Sequence, residues 1–299
     1  MLRRSLKDRP SHPINFTPYL FLLPALAILG LTVFLPALQA FFLSLTRYDA
    51  IAAPQWIGFK NFQRLLTDEV FWKTASNTLL YLIVVVPALV FAPLGLAILV
   101  NRKLRGIHWF RLSFYTPVVI SMVVAGIAWK AIYASNGLLN QFLKTVGMQD
   151  GIPWLTSPKW ALWSVMLVTI WKGLGYYMVI YLAGLQSISP ELYEAAALDG
   201  SESWRKHWDI TLPLMKPYLI LVAVISAISA TKVFEEIYIM TQGGPRNSSK
   251  TVVYYLYEQA FKNLEIGYAC AVGLVLFMII FVLSIMNLLL SKERGFYNR

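Results

Sequence analysis

Six stretches of this chain are long and apolar enough to cross a lipid bilayer, which limits its fold more than any other feature. A bilayer core about 30 Å thick takes roughly 20 apolar residues of helix. The runs 18–45, 77–100, 112–133, 160–185, 215–239 and 266–290 all meet that length. Lipid offers no partner to a backbone N–H or C=O, so spans of this kind must be helical. Charged residues are only 14% of the 299 positions and hydrophobic ones 58%, a balance that a water-soluble domain would carry only with large exposed apolar patches. The expected fold class is all-α integral membrane, with six transmembrane helices. The first run is too long for a cleaved signal and lacks a small-residue cleavage site, so a retained helix is expected.

Orientation follows from Lys and Arg outside the runs, because cytoplasmic loops keep an excess of them. One side holds fourteen: Arg3, Arg4, Lys7, Arg9, Arg102, Lys103, Arg105, Arg111, Arg205, Lys206, Lys216, Lys292, Arg294 and Arg299. The other side holds nine, spread over longer loops: Arg47, Lys60, Arg64, Lys73, Lys144, Lys159, Arg246, Lys250 and Lys262. The denser set belongs in the cytoplasm, which places both termini and the loop around Glu194 inside. The expected organisation is a cytoplasmic tail at 1–17, a membrane domain at 18–290 with a cytoplasmic loop at about 187–213, and a second tail at 291–299. The net charge of +11 then reflects topology, and nucleic acid is not an expected partner.

Pro24, Pro36, Pro87 and Pro93 interrupt the first two runs, and broken helices buried against partners are expected there. FKNFQRLL, from Phe59, reads as a short amphipathic helix lying at the surface. GPRNSSKT, from Gly244, imitates a P-loop, but Ser249 replaces the glycine before the lysine and no strand precedes it, so no ATP is expected there. His12, His108 and His207 stand singly and Cys270 is the lone cysteine, so neither a metal site nor an intramolecular disulfide is expected.

The segment 194–213, EAAALDGSESWRKHWDITLP, is polar and sits between two spans. Ser189 and Pro190 have the form of a helix start, with a capping hydroxyl and a proline where its missing donor does no harm. ELYEAAALD favours helix, with Leu192, Ala195, Ala196 and Leu198 available for a small-residue face, and Gly200 can end it with positive φ. Ser201 can then cap a second short helix carrying Glu202, Trp204, Arg205 and Trp208. A close-approach alanine face, a charge at Glu194 and two tryptophans suit a docking surface. An ordinary amphipathic connector would share most of these traits.

This order of residues resembles the EAA loop of permease subunits in binding-protein-dependent ABC importers, at Glu194, Ala195, Ala196, Asp199, Gly200, Ile210, Leu212 and Pro213. TQGGP at Thr241, TVVYYLYEQAF after it, GLQSISPELYEAAALDG and IGFKNF near Gly58 are similar to the carbohydrate branch. They resemble the first of its two permeases, as in maltose, glycerol-3-phosphate, glycoside and polyol systems. The resemblance implies a type I ABC importer transmembrane domain in a bacterial plasma membrane, and a transporter subunit with no enzyme activity of its own. It also implies a second permease, two ATPase subunits that carry ATP and Mg, and an extracytoplasmic substrate-binding protein. No cofactor is expected on this chain itself, whose remaining surroundings are membrane lipid.

Ionisable groups inside a span are costly and point to function. Lys172, accompanied by Trp171, Tyr176 and Tyr177, lies deepest. Lys130, Lys232, Glu235 and Glu236 are the others, and Lys130 and the two glutamates stand near span ends, where long side chains reach the interface. A sugar presents hydroxyls and apolar C–H faces, so rings and fixed polar groups are needed together. Trp171, Lys172, Tyr176, Tyr177, Lys232, Glu235 and Tyr238 are the resulting candidates for a substrate path. Rival readings are an ion-driven secondary transporter, which should show inverted repeats that are not visible, a membrane enzyme, for which no catalytic constellation stands out, and a docking protein that transports nothing.

Overall fold

The structure is a computed structural model that describes residues 17–102, 105–201 and 204–292. The expected tails lie almost wholly outside these residues, and so does Glu202. In chain order the helices are α1 (Thr17–Leu29), α2 (Leu35–Ser44), α3 (Lys60–Thr67), α4 (Glu69–Val100), α5 (Ile107–Val119), α6 (Met122–Tyr133) and α7 (Leu138–Thr145). They continue with α8 (Ala161–Gln186), α9 (Pro190–Leu198), α10 (Leu212–Thr231), α11 (Glu235–Met240), α12 (Val252–Tyr257) and α13 (Ile266–Lys292). A two-stranded antiparallel ribbon of β1 (Thr46–Arg47) and β2 (Gln55–Trp56) is the sheet among the described residues.

Among the described residues, five helical stretches are long and apolar enough to cross a membrane: Tyr19–Ser44, Glu69–Val100, Met122–Thr145, Ala161–Gln186 and His207–Thr231, with a shorter apolar stretch at Ile266–Val282. Of the breaks expected at proline, the one at Pro36 occurs, as a π-helical turn that ends just before it in the first turn of α2, and those at Pro24, Pro87 and Pro93 do not. α4 runs unbroken through Pro87 and Pro93, while α1 and α2 join through a π-helical turn at Gly30–Phe34, away from Pro24. A proline removes a single donor, and a packed helix absorbs that loss.

Further interruptions fall in the third and fifth runs. The run 112–133 stops at Val119, passes through an extended Ile120 (φ −70°, ψ 132°) and restarts where Ser121 accepts a hydrogen bond from the Val124 amide at 3.4 Å. The run 215–239 stops at Thr231 and restarts at Glu235; the buried Val233 carbonyl, freed from helical pairing between them, accepts from Thr251 Oγ1 at 3.1 Å. Ser121 is a readable helix cap. It is hidden in the sequence by the unbroken apolar composition around it.

α4, α8 and α10 form the centre. Tyr81, Val85 and Leu89 of α4 pack with Val165, Met166 and Tyr181 of α8 and with Met215 and Val222 of α10. Between spans in lipid no hydrophobic force draws helices together, so close packing, small residues and side-chain hydrogen bonds hold them. Gly175 shows the closeness required: a Cβ there would lie 2.2 Å from the Phe114 carbonyl oxygen, so only glycine lets α5 lie on α8. A second cluster joins Leu65 of α3, Phe71 of α4, Val252 and Tyr255 of α12, and Tyr268 and Val272 of α13.

Candidate functional site

The loop between α8 and α10 folds around its glycine. Pro190 opens α9 as expected, but the Ser189 hydroxyl makes no capping bond. Gly200 has φ +79° and turns the chain. Ser201 does not cap a separate helix: its hydroxyl donates to Asp209 Oδ2 at 2.6 Å, and Arg205 Nε stands 3.4 Å from the same oxygen. The next turn, a π-helical turn at His207–Thr211, runs straight into α10, so Leu212 and Pro213 open the fifth span without dividing it from a second helix. Proline in a first turn obstructs nothing. Tyr193 Oη and His207 Nδ1 each lie 3.1 Å from Thr211 Oγ1, tying α9 to this turn.

The result is a small groove of about 300 Å³ lined by Leu192, Ala195, Ala196, Asp199, Ser201, Arg205, Asp209 and Ile210. Glu194 is exposed at its side. Leu198 is 90% exposed and lies off the groove, so the apolar face is narrower than the sequence suggests. Trp204 and Trp208 are also exposed. Behind the loop a larger cavity of about 660 Å³ is bordered by Gly95, Ile98 and Leu99 of α4 and by Arg102, Trp204, Lys206 and His207.

A second cavity, about 330 Å³, opens at mid-length of α8. It lies within the size range of small-molecule sites. α8 contributes Thr169, Lys172, Gly173, Tyr176 and Tyr177, α10 contributes Ser226 and Ser229, and α11 contributes Glu236. Tyr81 of α4 also reaches it and lies 2.5 Å, hydroxyl to hydroxyl, from Thr169. Rings, hydroxyls and a carboxylate therefore converge in one place.

Of the candidates for a substrate path, Lys172, Tyr176 and Tyr177 come together here. The others do not line the cavity. Trp171 turns to Trp129 of α6, with ring centroids 5.4 Å apart. Lys232 and Glu235 are exposed at the break between α10 and α11, and Tyr238 joins an aromatic cluster with Phe234, Tyr254 and Tyr257. The α11 carboxylate that faces the cavity is Glu236, one residue on from the expected Glu235. In a run without polar periodicity, nothing in the sequence sets the helical phase beyond the break. Thr169, Ser226 and Ser229 are equally missed, being ordinary small polar residues until three helices surround them.

The end away from the Glu194 loop is tightly bonded. Asp68 caps α4 through the amides of Val70 (2.9 Å) and Phe71 (3.1 Å) and accepts from the hydroxyls of Tyr268 (2.5 Å) and Tyr255. Burial pushes the Asp68 carboxyl up, but the tyrosine and amide donors outweigh it and hold the group below its ordinary range. Arg64 lies 4.2 Å over the Tyr268 ring and donates to Glu265 at 3.0 Å. Asn77 Nδ2 donates to the carbonyls of Asn247 (2.8 Å) and Lys250 (2.9 Å), fixing the TQGGP loop to α4. Lys250 pairs with Glu258, at the end of α12.

A bundle of membrane-length helices, with a polar cavity at mid-length and a glycine-turned polar loop at one end, has the form of a transporter's membrane subunit. The family comparison makes this specific. The chain belongs to the binding-protein-dependent transport system inner membrane component family, whose model matches residues 69–294, and it is a permease subunit of ABC importers and not an enzyme. It is 34% identical over 281 residues to the lactose transport system permease protein LacF of Rhizobium radiobacter, covering 92% of this chain and 94% of that one. It is 36% identical over 264 residues to the sulfoquinovosyl glycerol transport system permease protein SmoG of Agrobacterium fabrum, covering 86% and 84%. Its structure is similar to a chain of the bacterial alginate ABC transporter solved in complex with an alginate pentasaccharide-bound periplasmic protein, with TM-score 0.83, 25% identity and coverage of 93% and 94%.

Proposed function

We propose that this permease carries a carbohydrate, in the broad sense of sugar, glycoside, polyol or glycerol phosphate, across a bacterial plasma membrane. In this reading the chain crosses six times, with both termini and the 187–213 loop in the cytoplasm, and shares the path with a second permease. Two ATPase subunits carry ATP and Mg, and an external binding protein delivers the cargo. The loop residues Glu194, Ala195, Ala196, Asp199, Gly200 and Ile210 meet the ATPases, and Leu212 and Pro213 pass the motion directly into α10. Continuity of the helical turn at His207–Thr211 with α10 supports this route, because a displacement at Asp209 and Ile210 on that side of the groove passes into α10 along one helix.

The observation that carries the cargo class is the mid-depth cavity. Tyr176 and Tyr177 offer ring faces to C–H groups, while Thr169, Ser226, Ser229 and Glu236 offer fixed acceptors and donors to hydroxyls. Relatives named for lactose, sulfoquinovosyl glycerol and arabinooligosaccharides point to the same class. The test is uptake by the full complex in proteoliposomes, with the cognate binding protein, across radiolabelled sugars, glycosides, polyols and glycerol phosphates. One of these is expected to be taken up only with ATP, and Tyr176→Ala is expected to lower that uptake about tenfold. Transport driven by an ion gradient without ATPases, or uptake of none of these compounds, would overturn the proposal.

A further inference from the structure

We infer that Lys172 is a positioning residue that terminates α5 and holds the break of the third span, and that it is not a ligand for cargo. The reasoning starts from the break. α5 ends inside an apolar run, and the last carbonyls of a helix have no partner within it. Water would satisfy them at a surface, but at bilayer depth it cannot. Lys172 lies near the middle of α8 (Ala161–Gln186), well over 10 Å from either end at about 1.5 Å of rise per residue. Its Nζ donates to Pro117 O at 3.3 Å, Val118 O at 3.3 Å and Ile120 O at 2.8 Å. An ammonium has three N–H donors, so none remains for a hydroxyl of cargo.

The electrostatics agree. A helix C-terminus carries a partial negative charge, so three of its carbonyls form a fitting site for a cation in a low-dielectric setting. The charge and the break satisfy each other, and either alone would be costly in lipid. Gly175, one turn further along α8, permits the contact by letting α5 approach to backbone distance. α5 packs on α8, whereas α6, beyond the break, packs on α11. The ammonium thus sits at the point where the two halves of the third span part, and Val118, whose carbonyl it binds, also borders the cavity. Lys172 therefore shapes the cavity wall through α5.

The test needs no cargo and so stands apart from the reading of the substrate class. Hydrogen–deuterium exchange is followed in nanodiscs on the full transporter complex, comparing the peptide 112–125 with control peptides from α8 and α13. With Lys172→Met, exchange of 112–125 is expected to rise about tenfold while the controls hold, because charge-assisted bonds to the last turn are lost. With Lys172→Arg, which keeps the charge and several donors, protection is expected to remain near wild type. Should the methionine variant fail to assemble, Lys172→Gln in the same complex replaces it, with exchange faster than wild type expected. Wild-type exchange in 112–125 for the methionine or glutamine variant would overturn the proposal, since the break would then not depend on the ammonium.

Discussion

At the Asp68 end, Asn77 is 4% exposed and its amide donates to two carbonyls; at the Glu194 end, Leu198 is 90% exposed and Trp204 74%. Both ends carry loops rich in polar and aromatic residues, yet one uses them within the chain and the other leaves them free. Asp68 alone binds the first turn of α4, α12 and α13 together. The Glu194 loop has enough internal bonds, at Ser201–Asp209 and Tyr193–Thr211, to keep its shape, and little more. Under the proposed coupling, contact groups left unpaired at the Glu194 end suit a moving partner, and groups paired at the Asp68 end suit one rigid unit.

Substitutions at the two ends should therefore fail in different assays. The largest effect is expected from Asp68→Ala, which removes a helix cap and strands two tyrosine hydroxyls: about 3 kcal/mol of stability, read as a lower unfolding midpoint in detergent. Asn77→Ala frees the TQGGP loop from α4 and should cost about 2 kcal/mol in the same measurement. Glu194→Lys should leave the unfolding midpoint within about 0.5 kcal/mol of wild type while weakening co-purification of the ATPase subunits, and an unchanged complex with unchanged uptake would break the comparison. Trp204→Ala should follow the same pattern, losing about 1–2 kcal/mol of association and almost no stability.

The smallest effect concerns pH. Because Asp68 titrates lower in the folded chain than its ordinary value of 3.8, its contribution is fully present above that value and is lost as pH falls through the folded one. The difference in unfolding midpoint between wild type and Asp68→Ala should therefore be flat from neutral pH down to about pH 5 and shrink below about pH 4. A midpoint that tracks pH near neutrality in wild type but not in the variant would contradict the assignment.

Much of the architecture was legible because lipid imposes a strict rule on sequence. Runs of about 20 apolar residues must be helices, and Pro190 and Gly200 mark the start and turn of the loop by backbone chemistry alone. Asp68 had a local signal too, an acidic residue before Glu69 at a helix start, which reads as an N-cap. Its two tyrosines had none, standing 187 and 200 residues away. The same holds for the cavity, where Glu236 and not Glu235 faces inward because the α10–α11 break resets the helical phase.

Sequence by itself determined that this chain is helical and membrane-embedded and that a polar, glycine-turned loop lies between two of its spans, since these depend on residues close together and on a solvent that forgives no unpaired backbone. Only the tertiary structure decided where the helices break and which side chains meet at mid-depth. Lys172 shows why. Read along the chain it is a costly charge in an apolar run that points to cargo; in three dimensions its three donors are met by carbonyls 52 to 55 residues away, and the helix end that needed a cation has one.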